Sequence, residues 1–199
     1  MNNQISRYLI TTADESTWVF DRPVLFLGNW CLLNERKHVW SKLDYEIVSY
    51  HWFNPYDMEK DTQFVRSLYE NLLFELTNVL NTHHKVEWTV RSWRILIGPW
   101  LLRFIEILYD RWKSIKALEN YKISEASCAD IDWDKIIPWD FTELSDLAKT
   151  DKWNYYVCSN ILKYLGKIKL EEVNISSIKN HQKRWRRSSL PESFRDIQQ

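Results

Sequence analysis

Apolar positions fall into two spacings along this chain. In "TQFVRSLYENLLFELTNVL", Phe64, Val65, Leu68, Leu72, Leu76, Val79 and Leu80 share one face at helical period. The spacing predicts a helix over 62–80, with Asp61 or Thr62 as N-cap and Arg66–Glu70 as an ion pair on the wet side. A second stripe, Leu101, Phe104, Ile105, Leu108, Trp112 and Ile115, predicts a helix over 99–119 with Pro99 at its first position, where a missing N–H costs nothing. Arg103–Glu106 and Asp110–Lys113 are its i,i+3 charge pairs. "DKWNYYVCSNILKYLG" predicts a third helix from near Asp151 to a left-handed Gly166, and 140–149 a short one capped by Asp140.

Three shorter runs, "RYLITT" (7–12), "PVLFLG" (23–28) and "YEIVSYHW" (45–52), are rich in β-formers and bounded by polar residues. Short buried strands separated by connections point to a parallel or mixed sheet. Residues 120–139 read as irregular, and "KIKLEEVNI" as a strand or a helix start. The fold class expected is α/β, a Rossmann-like open sheet flanked by helices. Residues 1–166 form the domain, and 167–199 a basic, partly disordered tail or linker.

Composition changes this picture in two places. Twelve tryptophans and 15% aromatics in 199 residues exceed ordinary core needs. Most belong in the core; the rest suit stacking on sugars or bases. Net charge is zero, which argues against nucleic acid as a partner. From Ser176 onward, however, six Lys/Arg face two acids, so a tail of +4 follows a body of −4. Within it "KRWRR" (183–187) suits an anionic membrane surface; its plainer reading is a solvated tail.

The cysteines, Cys31, Cys128 and Cys158, are odd in number and lack a CxxC spacing, which points to a reducing compartment. No leader is legible, and the longest apolar stretch, "ILIGPWLL", is far below the roughly 20 residues of a membrane span. A cytoplasmic chain is expected, with the tail as its contact with the inner membrane.

Three glycines leave no GxGxxG, P-loop or GxSxG. No nucleotide cradle is legible, so no cofactor is expected, and any nucleotide-binding half lies elsewhere. His83-His84 reads as a solvated turn, and "DID" (130–132) matches a metal motif by spelling only; no metal is expected. Ligands of open α/β sheets bind beyond the carboxyl ends of the strands. There the sequence places Asp14, Glu15 and Trp18 after the first strand, Arg36 and His38 after the second, and His51 and Trp52 at the third. Asp14, Glu15 or His51 are the candidate general bases. Trp18, Arg36, His38 and Trp52 are candidate substrate contacts. Arg91 and Arg94, just ahead of the helix expected at Pro99, are candidates for holding an anion with its free amides. The plainer readings are a capping loop for the acids, a backbone-bonded histidine, and surface salt links for the arginines.

The strings "YLITTADESTWVFDRPVLFLGNWC", "RKHVWSKLD", "YHW", "RSWRILIGPWLLRFIEILYDRW" and "DKWNYYVCSNIL" resemble the N-terminal part of a transferase family of bacterial O-antigen and other surface-polysaccharide loci. The match spans roughly residues 7–165, and "TADESTW" and "WRILIGPWL" are its most specific parts. The resemblance implies a glycosyltransferase of the two-domain GT-B kind. This chain would be its acceptor-side half, the partners a nucleotide-sugar donor and a glycan or lipid-linked acceptor, and a C-terminal domain would be missing. It carries over no catalytic residue. The competing expectations are a non-catalytic glycan- or partner-binding module, a remnant of such an enzyme, and, from "KRWRR" and the aromatics alone, an RNA-binding protein.

Overall fold

A computed structural model describes residues 5–129 and 137–173. Its centre is a five-stranded, all-parallel sheet: β1 (Arg7–Ile10), β2 (Val24–Phe26), β3 (Tyr45–Ile47), β4 (Ile123–Cys128) and β5 (Lys169–Glu172), in the order β3-β2-β1-β4-β5. Register aligns Ile10 with Phe26 and Phe26 with Ile47, so the first three strands end level. The chain moves outward from β1 through β2 to β3. It then returns to place β4 on the other side of β1. Strand order therefore reverses between β1 and β4, the Rossmann-like arrangement the sequence predicts.

Both faces of the sheet are covered, which is why Tyr8–Ile10 of β1 and Val24–Phe26 of β2 are unbroken apolar runs rather than alternating ones. Leu9, Leu25 and Ala126 meet Ile115, Leu118, Cys158 and Leu162 on one face. Tyr8, Ile10, Val24 and Phe26 meet Trp18 and Cys31 on the other. The first face carries two long helices, α3 (Val90–Lys116) and α5 (Asp151–Leu165). The second is closed by the β1–β2 and β2–β3 connections, including α1 (Lys37–Trp40).

Between β3 and β4 lies a helical hairpin of α2 (Pro55–His84) and α3. Its seam is a separate core of Val65, Leu73, Trp93, Leu101 and Ile105. Asn81 locks its tip: the carboxamide oxygen accepts from Trp88 N–H and the Trp93 indole, and the amide donates to Trp88 C=O.

Two expectations are corrected here. Helix α2 begins at Pro55 with Asn54 as N-cap, so Asp61 is a buried interior residue rather than a cap. Helix α3 begins at Val90 with Thr89 as N-cap, so Pro99 lies within it. Gly98 faces the seam, where an added Cβ would sit 2.7 Å from the Tyr69 hydroxyl. Pro99 faces outward, so the carbonyl it deprives of a partner is on the exposed side of the helix. The glycine is there for close helix approach, and no helix starts at that point.

The strand missed in the sequence is β4. Its run "ISEASC" ends in small residues because it is sandwiched between β1 and β5 and packed under α5, leaving Ala126, Ser127 and Cys128 buried. The short helix α4 (Phe141–Leu147), capped by Asp140, and the left-handed Gly166 after α5 (φ 61°) follow the pattern. Strand β5 lies beyond Gly166, where the domain edge was drawn. "DID" at 130–132 and the tail from 174, including "KRWRR", lie outside the described residues.

Candidate active site

At the reversal of strand order, the exit of β1 is held by two tryptophans. The Trp18 indole donates to Thr12 C=O (3.0 Å) and the Trp30 indole to Thr11 C=O (3.2 Å). Trp18 is buried, edge-on to Phe26, and belongs to the core. Trp30 is the half-exposed ring of the pair, and the sequence reading passed over it. Its sequence signal is the glycine two positions before it. A Cβ on Gly28 would lie 2.1 Å from the Trp30 ring. Gly28→Ala is therefore expected to expel the indole, break its bond to Thr11 and cost about 1–3 kcal/mol. A red-shifted tryptophan emission together with a lowered unfolding midpoint checks this.

Past the tryptophan clamp the chain turns through Asp14. One carboxylate oxygen accepts from Ser16 N–H (2.9 Å) and caps the short turn Glu15–Thr17. The other oxygen is buried with no hydrogen-bond partner, in a residue only 6% exposed. A buried acidic oxygen without a donor is costly, and native structures rarely keep one without a use. The loop around it is rigid. Thr17 Oγ1 donates to Asp14 C=O, and Ala13 N–H donates to Asp151 at the start of α5. Glu15 receives both ends of the Arg36 guanidinium (2.6 and 2.5 Å), joining this loop to the β2–β3 connection. Glu15, a candidate base, and Arg36, a candidate substrate contact, thus meet, but they pair with each other. His38 is exposed on α1, away from these bonds.

His51 and Trp52 belong to a second cluster, where the exit of β3 meets the base of the hairpin. The Trp52 indole, the Tyr109 hydroxyl and the Lys113 ammonium all donate to Asp61 (2.9, 2.8 and 3.1 Å). Burial pushes the Asp61 carboxyl up, but these three donors outweigh it and leave it below the ordinary aspartate value. Tyr50 donates to Asp110, which Arg111 also pairs, and Arg111 reaches on to Asn154 of α5. His51 is wedged between the Tyr50 and Trp52 rings, with Nδ1 3.5 Å from Ser114 Oγ and Nε2 3.4 Å from Asp110. Burial lowers its pKa despite Asp110, so the imidazole is neutral near pH 7. Burial and the adjacent carboxylates push the Tyr50 and Tyr109 phenols up to about 12, which keeps them as donors. The charge pair expected between Asp110 and Lys113 is replaced by these partners.

Arg91 and Arg94 lie in the first two turns of α3, both exposed. Arg94 pairs with Glu70 of α2 at 2.5 Å, which also takes Glu70 from the partner expected for it, Arg66. The free amides expected beside them at Pro99 do not exist, because that stretch is helix interior.

A protein-family model described as the LIC12162 family transferase matches residues 7–198. The chain belongs to that family. No curated protein and no solved structure matches it. In this transferase the unpartnered acid is therefore found where an open α/β sheet presents its ligand groups. Among the described residues no group of His, Cys, Asp and Glu is arranged to hold a metal, and no helix is long and apolar enough to cross a membrane.

Proposed function

We propose that this chain is the acceptor-side half of a GT-B-type glycosyltransferase of bacterial surface-polysaccharide assembly, with Asp14 as its general base. The observation that carries the reading is the free, buried Asp14 oxygen at the β1–β4 reversal. There it would take the proton of an acceptor hydroxyl as that oxygen attacks the anomeric carbon of the donor sugar. The bond to the nucleoside diphosphate would break with its electron pair leaving on the phosphate. Glu15 and Arg36 hold the loop that aims Asp14 rather than touching substrate, and Trp30 offers an apolar ring face beside it for a pyranose. The scarcity of glycine supports a donor held by a nucleotide-binding unit outside these residues. The resemblance to surface-polysaccharide loci supports the class of acceptor, a growing or lipid-linked glycan.

The test is product formation from a panel of nucleotide-activated sugars and glycan acceptors. It is run with this chain alone and with the polypeptide encoded next to it, and read by mass spectrometry. An acceptor heavier by one sugar residue, formed only when this chain is present, is the expected result. Glycan binding without transfer in either arrangement would make it a binding module instead.

A further inference from the structure

The loop that carries Asp14 is held from both sides of the strand-order reversal. From the β2 side the Trp18 and Trp30 indoles donate to Thr12 and Thr11 C=O, and Arg36 pairs with Glu15. From the β4 side the Ser127 hydroxyl reaches Thr17 C=O at 3.5 Å, at the limit of a hydrogen bond. The Asp151 carboxylate of α5 accepts from Ala13 N–H at 3.0 Å. This last tie is the shorter of the two, and a carboxylate is the better acceptor. It is also the closest in the chain to the candidate base, because Ala13 immediately precedes Asp14.

What stands behind Asp151 is rigid. It opens α5 at the first helical position, after the N-cap Thr150, where the unpaired amides of the first turn favour an acid. The helix itself is anchored in two cores, by Trp153 and Tyr156 in one and by Cys158 and Leu162 in the other. Asp151 therefore ties the Thr12–Ala13 peptide to a fixed body. The next bonds of the chain lead to Asp14, where one carboxylate oxygen accepts from Ser16 N–H at 2.9 Å and the other has no partner. A rotation of that peptide would carry the free oxygen with it. Resting on the reading of Asp14 as general base, we infer that Asp151 is a positioning residue. It acts through Ala13 N–H to aim the free Asp14 oxygen and makes no contact of its own with substrate. No local pattern could reveal this, because its partner lies 138 residues earlier. The role depends on reach. Asp151→Asn keeps an acceptor oxygen at the same distance, Asp151→Glu keeps the charge on a stem one methylene longer, and Asp151→Ala removes the acceptor.

The test uses the full 199-residue chain and two readouts. Amide exchange followed by NMR reads the aim without substrate. In Asp151→Ala and Asp151→Glu the Ala13 amide should exchange about tenfold faster, and the Ser16 amide should follow, since the carboxylate that holds it has lost its bearing. In Asp151→Asn both amides should behave as in the unaltered chain. In the transfer assay the alanine and glutamate variants should lose about 10- to 100-fold in kcat with KM little changed, and asparagine should restore most of it. The asparagine and glutamate variants should unfold at the midpoint of the unaltered chain, so they decide the matter even if the alanine variant does not fold. A faster Ala13 amide beside an unmoved Ser16 amide would overturn the inference, because the tie would then end at the peptide it holds. Full kcat in Asp151→Glu would do the same, as would a loss in Asp151→Asn as deep as in Asp151→Ala. Absence of transfer by the unaltered chain, or full transfer by Asp14→Asn, would refute the reading of Asp14 as the base instead, and amide exchange would still decide whether Asp151 aims its carboxylate.

Discussion

Asp14→Asn is expected to lower sugar transfer by about 10²–10⁴-fold, the range typical of a general base, while leaving the fold as stable as before or slightly more so. The two effects part because the residue has two oxygens with different duties. The first accepts from Ser16 N–H, and an asparagine oxygen does that equally well. The second has no partner, so the native fold carries an uncompensated acidic oxygen in a buried site. A neutral amide there costs less to bury than a charge, and a gain of up to ~1 kcal/mol would follow. Activity and thermal unfolding of the same preparation check this together. If Asp14→Asn lowered Tm by several degrees and activity only in proportion, Asp14 would be a cap and the base would have to be sought elsewhere.

Replacing Asp61 has the opposite character. Asp61→Ala should cost about 3–5 kcal/mol, because it strands the Trp52 indole, the Tyr109 hydroxyl and the Lys113 ammonium at once. Asp61→Asn keeps acceptor oxygen and should lose about half of that. Denaturant unfolding of the two variants decides, and a cost below about 1 kcal/mol for the alanine would dismiss the cluster as a fastener. The same cluster sets the response to acid. Both the His51 and Asp61 pKa values are depressed in the folded chain, so the unfolded chain binds the extra protons. The contribution of His51 is intact above its ordinary value of 6.5 and declines as pH falls below it. That of Asp61 holds down to about 3.8 and is lost as pH falls through its lower folded value. Unfolding midpoints should therefore drop in two stages on acidification, and His51→Phe should remove the first.

The strand-end rule was enough to place Asp14 near the sheet edge, because it needs only the locations of β1 and β2, and these are written in unbroken apolar runs. The same rule could not see that Glu15 and Arg36 neutralise each other, since their pairing depends on how two loops fold over one sheet edge. Strand β4 escaped because a central strand under a helix selects small side chains, and alanine, serine and cysteine carry no β signal. Helix α3 was cut short because Gly-Pro punctuates most sequences. Here its glycine serves the approach of α2 and its proline looks outward. Asp61 seemed a cap for want of a longer helix, although Pro55 after Asn54 marks the true start.

The pairing of Arg7 with Ile123 has a consequence for how the molecule assembles. The neighbours at the middle of the sheet are separated by the whole hairpin, so the sheet cannot close until most of the chain is available. The hairpin's contacts are local and should form quickly, whereas joining β4 to β1 closes a very long loop and should govern the folding rate. On a translating ribosome the helices would be finished early, and the first two strands would wait, half-covered, for the one that completes them.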